Sequence, residues 1–139
     1  MLDDLHKRYP RNRLVVLEAG ATAARAGRPA DAEALLTQGM AMLAGDKRPR
    51  IPGEDALWHY KRGAARVMLG RRDDALADLR AALAVDGAGW VQGRAHLEMA
   101  RLALQQGDRP GALREAATAI ATCEKGNDPI CVEEARKIK

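Results

Sequence analysis

The side chains with any capacity for chemistry are few, and their spacing decides most of what they can do. Two histidines, His59 and His96, stand 37 residues apart. Were they to converge they would offer two imidazole ligands to a metal ion. Packed helices lie roughly 10 Å apart, however, which is far for one ion without further ligands. A bulky packing role is the better expectation for both, with Val16 in the corresponding place upstream. Two cysteines, Cys123 and Cys131, flank a turn and could meet as a staple. With no histidine near them in sequence they lack the base a nucleophilic thiol needs. The carboxylate pairs Asp73-Asp74 and Glu133-Glu134 fall where helices begin. There, compensation of the helix dipole accounts for them. The chain has no serine, which removes a Ser-His-Asp hydrolase and a phosphoserine switch. It also lacks a Gly-rich phosphate loop ending in Lys-Ser/Thr, a His-Glu-x-x-His pair and paired Cys/His metal spacing. Neither a catalytic residue, a cofactor-binding residue nor a metal site is expected, and the chain reads as a non-enzyme.

The elements that must carry these residues are helices. Among 139 residues, 28 are alanine and only four are aromatic: Tyr9, Trp58, Tyr60 and Trp90. Alanine loses no side-chain entropy in a helix. Pleated sheets want β-branched and aromatic side chains, which are scarce here. The expected fold class is all-α. The length suits one domain. Twenty-three basic and 19 acidic residues give a net charge of +4. The signs alternate along the chain, and the one dense basic stretch is Lys47-Arg48-Pro49-Arg50. A nucleic-acid footprint needs positive charge gathered on one face, so nucleic acid is disfavoured as a partner. No stretch reaches the roughly 18 to 20 apolar residues of a membrane span. Residues 1–10 lack the apolar core of a signal peptide. Two cysteines fit a reduced intracellular chain, with a single disulfide in an exported protein as the alternative, so the compartment stays open.

Internal repetition is the strongest signal. Aligning Gly27, Gly70 and Gly107 brings other positions into register. Seven residues upstream stand Gly20, Gly63 and Ala100; five downstream, Ala32, Ala75 and Ala112. Twelve downstream are Gly39, Ala82 and Ala119, then Met40, Leu83 and Ile120. Every set is spaced by the same 43 and then 37 residues. The physical unit behind this pattern is a helical hairpin. A glycine able to take positive φ closes the first helix, and Pro29 or Pro110 opens the second. The small residues facing Ala32, Ala75 and Ala112 let the two helices approach, with Leu36 and Leu79 filling the space above. In the third unit Ala116 takes that place, so a thinner packing is expected there.

This pattern resembles the tetratricopeptide repeat family, whose unit is two antiparallel helices of about 34 residues. The residues that carry the resemblance are Gly63, Gly70, Ala75 and Ala82-Leu83, with their counterparts in the other two units. The family's mid-helix tyrosine is replaced by Ala23, Arg66 and Ala103, and its second-helix aromatic by Leu36, Leu79 and Ala116. These departures mark the units as divergent, and a related helical-hairpin family fits the same landmarks. The resemblance implies an α-α superhelix, a solenoid of hairpins, in repeats over 13–44, 56–86 and 93–122. Surplus length against about 34 places loops at Gly45 to Gly53 and at Gly87-Ala88-Gly89. Residues 130–139 read as a C-terminal capping helix with Ile130, Val132 and Ala135 inward. Residues 1–10 read as the end of a preceding repeat, which makes the chain a piece of a longer protein, or as a short capping helix. Trp58 and Trp90 are expected to pack at repeat junctions.

By the same resemblance the first helix of each unit lines a concave groove that holds a peptide or protein segment. In the middle unit the lining is Leu57, Tyr60, Lys61, Ala64 and Met68. In the third it is Arg94, Leu97, Glu98, Arg101 and Gln105, and in the first Leu14, Leu17, Glu18, Ala21 and Arg25. Tyr60 and Arg101 are of the types that dominate interface hot spots. The family's clamp for a C-terminal carboxylate uses lysines and asparagines. No asparagine follows Arg13 on any first helix, so no such clamp is expected. The expected function is therefore a protein-protein interaction scaffold. The alternative is a spacer or dimerisation array attached to an enzyme or regulator domain elsewhere in the parent protein.

Overall fold

The computed structural model describes residues 12–85 and 89–139. Among the described residues it is all-α, with seven helices and no strand. They are α1 (Arg13–Arg25), α2 (Pro29–Gly45), α3 (Glu54–Met68), α4 (Arg72–Ala84), α5 (Gly89–Gln105), α6 (Arg109–Lys125) and α7 (Pro129–Arg136). The expected preceding segment, 1–10, lies outside the described residues, as do 86–88. Gly89 was expected in a loop but opens α5.

The turns repeat one piece of backbone chemistry. Gly27, Gly70 and Gly107 all have positive φ, between 71° and 75°. After each, an N–H reaches back five residues: Arg28 to the Ala23 carbonyl, Arg71 to Arg66 and Asp108 to Ala103, at 2.9–3.0 Å. This is the helix stop that a left-handed residue permits. The α6–α7 turn uses the same closure with Asn127 at φ 53° and Asp128 N–H bonded to the Cys123 carbonyl. Side-chain caps then start α6 and α7. Asp108 accepts from the Gly111 N–H and Asp128 from the Cys131 N–H. Such a cap contributes about 1 kcal/mol.

Three antiparallel hairpins result: α1 with α2, α3 with α4, and α5 with α6. Each second helix also packs on the following first helix, and first helices pack on one another, α1 on α3, α3 on α5 and α5 on α7. No described second helix packs on another. This arrangement fits a helical repeat.

Of the five aligned landmark sets, the glycines at 27, 70 and 107 lie in exposed turns and the other four fall at buried or half-buried positions. Ala32, Ala75 and Ala112 are fully buried, and so are Ala82 and Ala119. What stands against Gly20 and Gly63 is Leu36 and Leu79: a Cβ on either glycine would sit 2.7–2.9 Å from leucine side-chain carbons. The leucine thus seats directly on the glycine. In the third unit the small residues Ala100, Ala116 and Ala119 are each buried at 4% exposure or less. The expected thin packing does not follow, because small side chains on both helices let them close up. Gly39 is opposed by the ring of Trp58, which is fully buried. The last helix departs from expectation at one residue: Ile130 is 64% exposed, and Cys131, Val132 and Ala135 face inward. Asp128 caps the helix, and that start turns the stripe at 131, 132 and 135 towards α6.

Candidate functional site

The face built by the first helices gathers the residues that sequence reasoning nominated, but it sorts them by depth. Tyr60, Leu97 and Glu98 are buried. Leu57 and Ala64 are half-buried against the core cluster of α3, α4 and α5. Lys61 and Arg101 are half-buried, and Met68 is 52% exposed. Accessible chemistry on this face is therefore carried by Lys61, Met68 and Arg101, flanked by exposed Glu18, Arg25 and Gln105.

Tyr60 anchors the centre. Its ring meets Trp90 edge-on, with centroids 6.2 Å apart and planes at 87°, the favoured geometry for such pairs. The Lys61 ammonium lies 5.8 Å from the Tyr60 ring centre, and the Arg94 guanidinium 5.7 Å from that of Trp90. Burial, with Glu98 acting in the same direction, pushes the Tyr60 phenol up to about 12. Burial also raises the Glu98 carboxyl, against the pull of Arg101. Lys61 is lowered by burial and by the like charges of Arg25 and Arg94, with Glu18 opposing. Arg94 and Arg101 are tied to α7: Arg94 donates to Asp128 at 2.7 and 3.0 Å. Arg101 donates to Glu98 at 2.6 Å and to Glu134 at 3.3 Å.

The histidines pack, and each does so on a carboxylate of its own hairpin. His59 Nδ1 lies 3.1 Å from Asp78 Oδ1, and His96 Nδ1 lies 2.7 Å from Glu115 Oε2. Both pairs span 19 residues, one set on the second hairpin and one on the third. Each imidazole is thus paired with a carboxylate of a different second helix. Cys123 and Cys131 form a disulfide, and both are buried. With Asp128 they make the sole three-residue cluster of metal-ligating types among the described residues, but both sulfurs are bonded to each other. Gly93 seats this bridge: a Cβ there would meet the Cys123 sulfur.

Two buried ion networks were not legible in the sequence. Arg13, 3% exposed, donates to Glu54 at 2.8 and 3.1 Å, to Asp46 at 2.6 Å and to the Pro49 carbonyl at 2.8 Å. Glu54 also accepts from Trp58 Nε1 at 3.0 Å. This cluster pins the long 46–53 loop, which joins α2 to α3, against the start of α1. The hydrogen bond from Arg13 holds the Glu54 carboxyl at about 2 despite its burial, with Trp58 adding to the effect. In the second network Asp78 binds Arg62 at 2.8 Å and Arg66 at 2.7 Å, and Arg66 and Arg71 both bind Glu33. Burial alone would raise Asp78; hydrogen bonds from His59 and Arg62 and the charges of Arg62 and Arg66 outweigh it and hold the carboxyl at about 2. The partners lie 12 to 41 residues apart, a separation that carries no periodic signal.

Compared with known families, curated proteins and solved structures, the chain matches none. No helix is long and apolar enough to cross a membrane, among the described residues.

Proposed function

We propose that this chain is a non-catalytic interaction module of tetratricopeptide type, a superhelical array that holds a protein segment along its first-helix face. The observation that carries the reading is the pairing order: first helices pack on first helices while second helices do not meet. Such unequal contact bends an array towards its first-helix side, and curvature of that kind makes an extended binding surface. The accessible mixture of Lys61, Met68, Arg101, Glu18 and Arg25 suits a segment with both apolar and charged side chains. Tyr60 acts from below as a rigid support for Lys61.

The test places a photo-crosslinking amino acid at Met68, or as a control at the exposed second-helix residue Gln38. Crosslinked partners recovered from Met68 and not from Gln38 are expected. Equal recovery from both would sink the groove reading. A companion variant, Lys61→Glu, should lower recovery while leaving helix content unchanged by circular dichroism.

A further inference from the structure

The two junctions between successive hairpins are built on equivalent positions, yet one is bridged and the other is open. In the first junction Glu33 of α2 binds Arg66 of α3 at 2.8 Å and Arg71 at 2.7 Å, and Arg66 continues to Asp78. Ion pairs therefore span the gap between α2 and α4. Shifting by the repeat interval replaces Glu33 with Leu76, Arg62 with Met99, Arg66 with Ala103 and Arg71 with Asp108. Glu33 and all three guanidiniums of that path are lost; Asp78 keeps its charge as Glu115, and Asp108, of opposite sign to Arg71, accepts from the Gly111 N–H. What remains between α4 and α6 is a cleft of about 200 Å³ floored by Leu76, Met99, Leu102 and Ala103.

Two guanidiniums and two carboxylates stand at its rim, and the carboxylates are the groups already engaged by hydrogen bonds. Glu115 is paired with His96 at 2.7 Å. Arg72 and Arg114 border the cleft, are exposed, and have no carboxylate partner among the described residues. The volume discriminates between occupants. Small-molecule sites usually measure about 300 Å³ or more, whereas 200 Å³ suits one large side chain. Met99 adds an adaptable wall.

We infer that the α4–α6 cleft is a second docking site, which takes one aliphatic or aromatic side chain from a partner segment bearing carboxylates on either side of it. The segment's apolar anchor fills the floor, and its carboxylates meet Arg72 and Arg114. Met99, Leu102 and Ala103 form a stripe on α5 about a third of a turn from that of Arg94, Glu98 and Arg101. Occupancy here is thus independent of the first-helix face.

The probe is a heptapeptide capped at both ends, Gly-Glu-Glu-Leu-Glu-Glu-Gly, titrated into isotope-labelled protein while backbone amide shifts are followed. Its counterparts carry lysine in place of glutamate, or alanine in place of leucine. Saturable shifts centred on Leu76, Met99 and Ala103 are expected, with a Kd of about 1 mM or tighter and about tenfold weaker binding of both counterparts. Ala103→Arg, which installs the side chain found in the first junction, should abolish the shifts while leaving helix content intact. Arg72→Glu with Arg114→Glu, both at exposed positions, should reverse the preference between glutamate and lysine peptides. Four results each overturn the inference: no saturable shift, equal binding of the two charge types, undiminished binding by Ala103→Arg, or shifts confined to Leu57, Lys61 and Met68. The last would leave the first-helix groove standing as the binding surface.

Discussion

At the scale of single residues, the chain spends its buried charges on holding helices in register. Asp78 is nearly inaccessible and is shared by His59, Arg62 and Arg66, which come from a different helix. Removing its charge leaves two guanidiniums partly buried and only Arg66 with another carboxylate, Glu33. Breaking a buried pair costs about 3 kcal/mol at the lower end of the known range. Asp78→Asn should therefore lower stability by about 3 kcal/mol in denaturant titration, with the helix content of the folded state retained. A loss below about 1 kcal/mol would show that solvent screens the cluster. The same carboxylates set the response to acid. Asp78 and Glu54 both sit at about 2 in the folded chain, below their ordinary values of 3.8 and 4.5. Groups with a depressed folded pKa bind fewer protons folded than unfolded as pH falls. Their stabilisation is complete above about pH 4.5 and is lost as pH drops towards 2. Melting temperature should be insensitive to these two groups between pH 5 and 7 and should fall steeply below about 4.5.

At the scale of elements, the disulfide and Gly93 form one device. α7 has eight residues, fewer than the 12 to 15 at which an isolated helix becomes even marginal in water. It is held by the Cys123–Cys131 bridge, a small apolar cluster and the pairs from Arg94 and Arg101. Reduction with a dithiol should raise amide exchange across 129–136 well before it affects α3 or α4. Unchanged protection of α7 after complete reduction would show that packing alone suffices. Gly93→Ala tests the seat of the bridge. Alanine gains about 1 kcal/mol in helix propensity, while overpacking costs about 1–3 kcal/mol. The nearest atoms are the Cys123 sulfur and its backbone nitrogen and Cα, which cannot rotate away while the bridge is closed. The loss should win in the oxidised protein and vanish when both cysteines are alanine. A double-mutant cycle reads this coupling directly, and additive effects would refute it.

At the scale of the molecule, the two junctions differ in the buried ion pairs added to their apolar contacts. α1 and α2 meet α3 over Trp58, Leu17, Leu36 and Leu43 and are fastened in addition by Arg13–Glu54 and Glu33–Arg66, whereas α3 and α4 meet α5 over Tyr60, Val67, Leu79, Val91 and Leu102. Acid removes the ion pairs of the first junction and leaves the apolar contacts of both. At about pH 3, amides of α1 and α2 should lose protection before those of α5 and α6, so that unfolding by acid proceeds from the first hairpin. Simultaneous loss in all three hairpins would show that the apolar contacts couple them into one cooperative unit.

What could be read without coordinates was whatever depends on neighbours along the chain. Alanine content and the absence of β-branched runs select helix; glycines at 27, 70 and 107 mark stops because only a left-handed residue closes the helix there. The fixed spacing of small residues marks the hairpin faces. Those signals are local, and they identified the hairpins and the fold class. Register between hairpins is a different matter. Arg13 finds Glu54 across 41 residues and Arg66 finds Glu33 across 33, and neither pair has a period by which it could be recognised. Depth also escapes a periodic reading. A stripe at three- and four-residue steps says that Tyr60, Lys61 and Leu97 share a face. The approach of α3 to α5 decides that Tyr60 is buried and the packing of α6 and α7 on α5 that Leu97 is, while Lys61 still reaches solvent. The Cys123–Cys131 bridge stayed open for the same reason: whether two side chains meet depends on where the turn at Asn127 aims α7, and that aim is a property of the packed helices.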